Sequence, residues 1–216
     1  MRAAFSAPLL AAFVSASAAC TTPAPFDYTL FHEHQPRTVL VLPPLDNSME
    51  VDAAYTYLST VTRPLAERGY YVFPVAVVDR MLRDNGLPGP GEMHQVPLQR
   101  LGEVFGADAV LYITLDNWGT SYHVIDSSTE VTAEATLVDV ATGTEIWRGK
   151  SSVAQSSSSG GGGIADMLVG AVLNQVMTSI SDPSKDLARQ CNQELFCNDR
   201  DGLLVGPRSP DYGKSK

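Results

Sequence analysis

The first half of the chain alternates continuous apolar runs with amphipathic segments. Residues 38–42 and 109–115 are unbroken apolar runs, which predict strands buried on both faces. Residues 70–78 are rich in β-branched and aromatic side chains and predict a further strand, broken or ended at Pro74. Helical spacing predicts helices over 47–69, 79–85 and 97–105, the first capped by Asn47, interrupted at Pro64 and stopped by Gly69. The predicted order is therefore β-α-β-α-α-β.

The second half of the chain has a different periodicity. Apolar and polar residues alternate over 131–140, a turn follows at 141–144, and 145–153 returns as the second strand of a hairpin. Residues 122–125 add a preceding strand. A Ser/Gly-rich linker over 155–163 leads to an amphipathic helix over 164–180, and 183–216 is predicted to be a polar tail.

These elements predict one α/β (α+β) domain over residues 37–182. Its sheet is mixed, with a parallel-leaning first half, an antiparallel meander after it, and helices packed on the sheet. A length of 216 residues allows one such domain with appendages. A hydrophobic content of 44% with 18% charged residues indicates a globular chain and excludes a disordered one.

The N-terminus has the order of a secretory leader. One Arg, a short apolar run and a series of small residues occupy 1–19, and Cys20 follows directly, as in a bacterial lipobox with Ser17 at its first position. We expect Cys20 to carry acyl chains such as palmitate, with 20–36 as a tether; an ordinary cleavage near Ala19 that leaves Cys20 free is the alternative. Thr21 stands where an inner-membrane retention Asp would stand, which favours the outer membrane and a domain that faces the periplasm. No segment is long and apolar enough to predict a transmembrane helix.

Charge and cysteine content narrow the function further. A net charge of −9 without a basic cluster argues against nucleic-acid binding. Cys191 and Cys197 remain once Cys20 is acylated, and an oxidising compartment favours a disulfide between them. A metal pair is the alternative, but no His is nearby and the spacing is not CxxC.

No catalytic or cofactor motif emerges from the remaining residues. His32 and His34 would share one face of a strand, yet a polar tether explains them better than a metal site, and His94 and His123 have no carboxylate partner by spacing. The sequence lacks GxSxG, GxGxxG and a phosphate loop. We therefore expect a protein that is not an enzyme and holds neither cofactor nor metal. A candidate partner or ligand surface lies at the carboxyl edge of the sheet and comprises Asp46, Asn47, Asp116, Trp118 and Tyr122.

Several strings together resemble a known family. They are residues 37–48 (RTVLVLPPLDNS), 64–75 (PLAERGYYVFPV), 85–87, 105–109, 111–113 and 137–139. Over roughly residues 26–180 the chain resembles bacterial lipoproteins of unknown function that include a neisserial genome-derived vaccine antigen. The resemblance implies a membrane-anchored periplasmic α/β domain, similar to the N-terminal domain of the Tol-system propeller protein and to the curli secretion lipoprotein. It brings no catalytic residues.

Two functional hypotheses follow. The first is a non-enzymatic subunit or accessory of a cell-envelope transport or secretion assembly. Its partners would be proteins of that complex, including a relative of the curli secretion lipoprotein, whose genes accompany this family, or a second copy. The second is a periplasmic binding module for a small ligand or cell-wall fragment, which requires a concave pocket at the carboxyl edge.

Overall fold

The computed structural model describes residues 26–122, 127–157 and 183–214. Within these ranges the helices are α1 (Thr29–His34), α2 (Ala53–Glu67), α3 (Val75–Asp84), α4 (Pro90–Met93), α5 (Leu98–Phe105) and α6 (Pro183–Cys197). The strands are β1 (Thr38–Val41), β2 (Leu45–Asp46), β3 (Tyr71–Val72), β4 (Ala109–Tyr122), β5 (Ser127–Asp139) and β6 (Glu145–Ser157).

The strands form one mixed sheet of the predicted kind. The described order is β3-β1-β4-β5-β6, and β2 also pairs with β4. β1 runs parallel to β3 and to β4, and β2 runs parallel to β4. β4, β5 and β6 form the antiparallel meander. The prediction of a parallel first half followed by a meander is confirmed.

Alternate residues of β1 enter two separate cores, which explains its unbroken apolar run. Val39 and Val41 join the larger core with α1, α2 and α6, while Leu40 joins the smaller core with α3, α4 and α5. All three side chains are fully buried. A strand covered by helices on both faces has no position left for a polar side chain.

The C-terminal segment corrects the predicted domain boundary at residue 182. It contains α6, which packs in the larger core through five buried residues: Leu187, Ala188, Cys191, Leu195 and Phe196. The Phe196 ring lies 5.7 Å from the ring of Trp147, whose Nε1 donates a hydrogen bond to the Asp201 carbonyl at 2.9 Å. The prediction of a polar tail is wrong. The predicted linker 155–163, apart from its first three residues in β6, and the predicted helix 164–180 lie outside the described residues.

The disulfide prediction is also wrong, because both thiols are free. Cys191 and Cys197 lie on the same helix, six residues apart. Six residues advance about 9 Å along an α-helix, whereas bridged cysteines need Cα atoms within about 7 Å.

The domain begins earlier than predicted at its other end. Tyr28 donates a hydrogen bond from its hydroxyl to the Gly202 carbonyl at 2.6 Å, and its ring lies 4.7 Å from that of Phe26. Phe31 in α1 is buried in the larger core. Residues 26–36 are thus part of the folded domain and not tether. The leader and Cys20 lie outside the described residues, and their assignments stay predictions.

Three local predictions in the first half differ from the structure. Residues 75–78 belong to α3, where Val78 and Leu82 are buried at helical spacing. The first long helix begins at Ala53 and not after Asn47, and it continues through Pro64. The run of valines favoured a strand locally, but the contacts of α3 with the smaller core decide the outcome.

Candidate functional site: the carboxyl edge of the sheet

The structure brings three of the predicted surface residues together at the carboxyl edge. β2 pairs with β4 so that Asp46 lies opposite Leu115, and the Asn47 N–H donates to the Leu115 carbonyl at 2.9 Å. Asp116 follows Leu115 directly in β4. The parallel pairing of β2 with β4 therefore places Asp46, Asn47 and Asp116 close together, although β4 continues past Asp116 to Tyr122.

A β-bulge separates Trp118 from this group. Leu115 pairs with Ala133 and Asn117 with Thr132, so Asp116 is the extra residue on β4. The extra residue reverses the alternation of side chains beyond it. Asp116 and Asn117 are both exposed, while Trp118 turns into the larger core and is only 8% exposed.

The assignment of Trp118 to the partner surface is therefore wrong. For Tyr122, the structure gives the backbone alone: it ends β4, paired with Ser127.

The two carboxylates at this edge, of Asp46 and Asp116, are bound to different neighbours rather than aimed at a common point. Asp46 Oδ1 accepts a hydrogen bond from the Ser48 N–H at 2.8 Å. Asp116 Oδ2 pairs with Lys150 Nζ at 2.5 Å, and this hydrogen bond raises the pKa of Lys150. The arrangement is a set of local turn and cross-strand contacts.

Beside the exposed polar residues Asn47, Glu50 and Asp52, the edge presents two apolar side chains to solvent. The loop of residues 47–52, which we call the apolar loop, connects β2 to α2. Met49 is 100% exposed and Val51 is 92% exposed in this loop. Neighbouring Tyr55, in the first turn of α2, is 36% exposed.

Sequence reasoning missed these two side chains because it placed the loop in a helix. The sequence does contain an indication of exposure: Met49 and Val51 are the two apolar residues of an otherwise polar segment, and their spacing does not fit the apolar face of the following helix.

The histidines play different structural roles. α1 is a helix, so His32 and His34 do not share a face as they would on a strand. His34 Nδ1 lies 3.3 Å from Asp139 Oδ2, which ties α1 to the end of β5. His94 Nε2 lies 2.9 Å from the Pro43 carbonyl, and burial lowers the pKa of its imidazole. His123 lies outside the described residues, and no group of potential metal ligands occurs within them.

Cavities occur elsewhere in the described part of the chain. One of about 400 Å³ lies beside α1 and residues 204–214, one of about 260 Å³ lies between α3 and α5, and one of about 280 Å³ adjoins His34 and Asp139. None of these three includes Asp46, Asn47 or Asp116 in its lining.

Helices long and apolar enough to span a bilayer are absent from residues 26–122, 127–157 and 183–214.

A mixed α/β domain behind a predicted leader and lipobox cysteine is an arrangement of bacterial lipoproteins. The chain belongs to the family described as "Putative lipoprotein GNA1162-like", which it matches over residues 26–208. Membership implies a membrane-anchored protein of the cell envelope, and the resemblance stated from the sequence is confirmed.

Individual relatives extend this comparison. The chain is 41% identical to a "Putative lipoprotein NMB1124/NMB1162" of Neisseria meningitidis serogroup B (strain ATCC BAA-335 / MC58) over 201 residues, which cover 92% of this chain and 94% of the relative. The crystal structure of lipoprotein GNA1162 from Neisseria meningitidis is similar with 43% identity and a TM-score of 0.55, covering 66% of this chain and 99% of that one. A fainter likeness, at 16% identity and a TM-score of 0.41, exists to a PelC dodecamer from Paraburkholderia phytofirmans, over 74% of this chain and 88% of that chain.

Proposed function

We propose that this lipoprotein is a non-enzymatic accessory of a cell-envelope transport or secretion assembly and docks a protein partner through the apolar loop. The observation that carries the proposal is the exposure of Met49 and Val51 at one end of the sheet. Removing such a side chain from water completely is favourable by about 1.5–3 kcal/mol before the costs of association, so two of them can anchor a partner.

The position of the apolar loop supports docking away from the membrane. The first described residues lead through α1 to Arg37, whose carbonyl accepts from the Tyr71 N–H at the amino edge of the parallel strands. The apolar loop lies at the opposite, carboxyl edge. Residues 109–115 of β4 run between the two edges and span about 20 Å at about 3.3 Å per residue. A domain tethered at its amino edge can direct the apolar loop toward a protein in the periplasm.

The contacts of the polar residues favour a docking surface over a small-ligand site at this edge. A binding module would aim several polar groups into one concavity. Asp46 and Asp116 instead bond Ser48 and Lys150. Their carboxylates hold the loop and the bulge in place and leave the apolar side chains outermost.

Crosslinking in the native membrane tests the proposal. A photoreactive amino acid replaces Met49 in one variant, and Val77, an apolar α3 residue that is 62% exposed, in a matched control. We expect one discrete protein adduct from position 49 and none of that mass from position 77. Equal adducts from both positions would contradict docking through the apolar loop.

A double variant, Met49→Asp with Val51→Asp, supplies the second measurement. We expect at least tenfold less of the crosslinked partner to copurify, with unchanged thermal unfolding because both side chains are exposed. Full retention of the partner would overturn the proposal. An adduct made only with a second copy would replace the accessory role by self-assembly.

A further inference from the structure

The cavity of about 400 Å³ at the amino edge is built by three separate parts of the chain. α1 contributes Phe31 and His32, the end of α2 contributes Arg68, and residues 204–214 close the remaining side. The Gly206 N–H donates to the Arg68 carbonyl at 2.7 Å, and the Arg208 N–H donates to the Gly69 carbonyl at 3.1 Å. These backbone hydrogen bonds fix the C-terminal segment against α2, so the cavity is part of the fold.

The wall of this cavity includes a strained backbone position. Gln35 ends α1 with a φ of 44°, and among the described residues it is the one non-glycine with positive φ. Its side chain is held at both ends: Nε2 donates to the His32 carbonyl at 3.0 Å, and Oε1 accepts from the Tyr212 hydroxyl at 2.8 Å. Strain that neighbouring contacts over-determine is concentrated at binding sites in proteins.

The chemistry of the lining is divided between an apolar wall and one unpaired cation. Phe31, Leu204 and Val205 supply the apolar wall. Lys214 is neutralised by Asp211, whose Oδ1 lies 2.8 Å from Lys214 Nζ. Among the ion pairs of the described residues, none includes Arg68.

The lining also holds the Asp211 carboxylate, which is paired with Lys214, and Arg68 has no ion pair of its own among the described residues. The charge of Arg68 acts on the phenols of Tyr28 and Tyr70, whose hydroxyls donate to the carbonyls of Gly202 and Leu204 at 2.6 Å each. The positive charge of Arg68 opposes the rise that burial causes in the pKa of both phenols. An unpaired guanidinium beside an apolar wall is suited to a ligand that combines an anionic group with an apolar chain.

We propose that the amino-edge cavity binds an amphipathic organic anion, whose phosphate or carboxylate pairs with Arg68 and whose apolar chain packs against Phe31, Leu204 and Val205. Two sources supply this chemistry: an anionic lipid of the anchoring membrane, or a free organic anion. The cavity adjoins α1, the first described helix, and the six residues from Cys20 to Phe26 reach at most about 20 Å. This inference is independent of docking through the apolar loop.

Calorimetry on the full mature chain in phosphatidylcholine nanodiscs tests the proposal, with protein-free discs as the blank. The probe is hexyl phosphate, and inorganic phosphate and hexanol supply its two halves separately. We expect one hexyl phosphate per chain, bound at least tenfold more tightly than either half. Equal affinity for inorganic phosphate, or no saturable binding, would overturn the proposal.

Three variants test the site. Arg68→Gln should weaken hexyl phosphate binding at least tenfold, while Arg63→Gln, at an exposed position of α2 paired with Glu67, should leave it unchanged. Val205→Trp should weaken binding because the larger side chain fills the cavity. For Arg68→Gln, an unchanged thermal unfolding midpoint shows that the fold persists. Identical affinity in Arg68→Gln would place the ligand elsewhere and overturn the proposal.

The second arm distinguishes the two sources. Discs in which about a third of the phosphatidylcholine is replaced by phosphatidylglycerol present the same anionic chemistry from the bilayer. The apparent affinity of the parent chain for hexyl phosphate is compared between the two kinds of disc. A decrease of at least tenfold in the anionic discs, larger than the decrease that Arg68→Gln shows there, supports occupancy by the lipid. Unchanged affinity supports a free organic anion.

Discussion

Removing the ring of Phe196 measures how much α6 contributes to the stability of the domain. The side chain is fully buried, and its ring lies 5.7 Å from that of Trp147. Phe196→Ala loses about 2 kcal/mol of transfer free energy. The missing ring leaves a void on the order of 75 Å³, which at ~24 cal/mol per Å³ costs about 1.8 kcal/mol more if it stays empty. We expect a decrease of about 4 kcal/mol in the free energy of unfolding.

Urea unfolding of the detergent-solubilised full chain, followed by tryptophan fluorescence, measures this decrease. Gln190→Ala on the exposed side of α6 is the matched control and should change stability by less than about 0.5 kcal/mol. If Phe196→Ala does not fold, Phe196→Leu should still lose about 1–1.5 kcal/mol. A loss below about 1 kcal/mol for Phe196→Ala would show that α6 does not pack in the core, and would refute the reasoning.

Three further predictions test individual parts of the fold. Non-reducing peptide mapping should recover Cys191 and Cys197 as free thiols. Cys197 should be alkylated at least tenfold faster, because burial shields Cys191 and raises the pKa of its thiol. A disulfide-bridged peptide that contains both cysteines would contradict their position on one helix. Burial lowers the pKa of His94 in the folded protein, so the neutral imidazole stabilises the fold above the unfolded pKa of about 6.5, and this contribution is lost as the pH falls. His94→Gln should therefore show a smaller decrease in Tm between pH 7 and pH 5 than the parent chain, and an equal decrease would contradict it. Gly69→Ala should lower the free energy of unfolding by about 1–3 kcal/mol more than Gly86→Ala. Both glycines have positive φ, but of the two only Gly69 is crowded, because a Cβ there would lie 2.4 Å from the Ser209 nitrogen. Equal losses would show that this close approach does not exist.

The strands that are buried on both faces can be predicted from their unbroken apolar runs. The helix α6 is not predicted, because its apolar pattern includes a cysteine. Leu187, Cys191 and Leu195 recur at four-residue spacing, which is the period of a helix with one buried face. Assigning Cys191 to a disulfide removes it from the apolar pattern. A free cysteine behaves as a small apolar residue, and counting Cys191 in this way restores the helix signal.

The candidate site was predicted in part. The convergence of Asp46, Asn47 and Asp116 follows from the parallel pairing of β2 with the middle of β4. The inward turn of Trp118 does not follow from its own segment. It depends on a bulge that exists only in relation to the register of β5, and register is set by long-range contacts that a single sequence does not display.

The two proposals together place a constraint on the partner. If the amino-edge cavity contacts lipid, the apolar loop lies about 20 Å beyond it, across the length of residues 109–115. If the cavity instead holds a free anion, the tether adds at most about 20 Å, and Met49 and Val51 reach at most about 40 Å from the bilayer. In the first case these side chains face away from the membrane surface, so a protein confined to the headgroup layer could not cover them. A cavity occupied by lipid therefore requires a partner that projects at least about 20 Å from the bilayer, whereas a cavity that holds a free anion sets only the upper limit of about 40 Å.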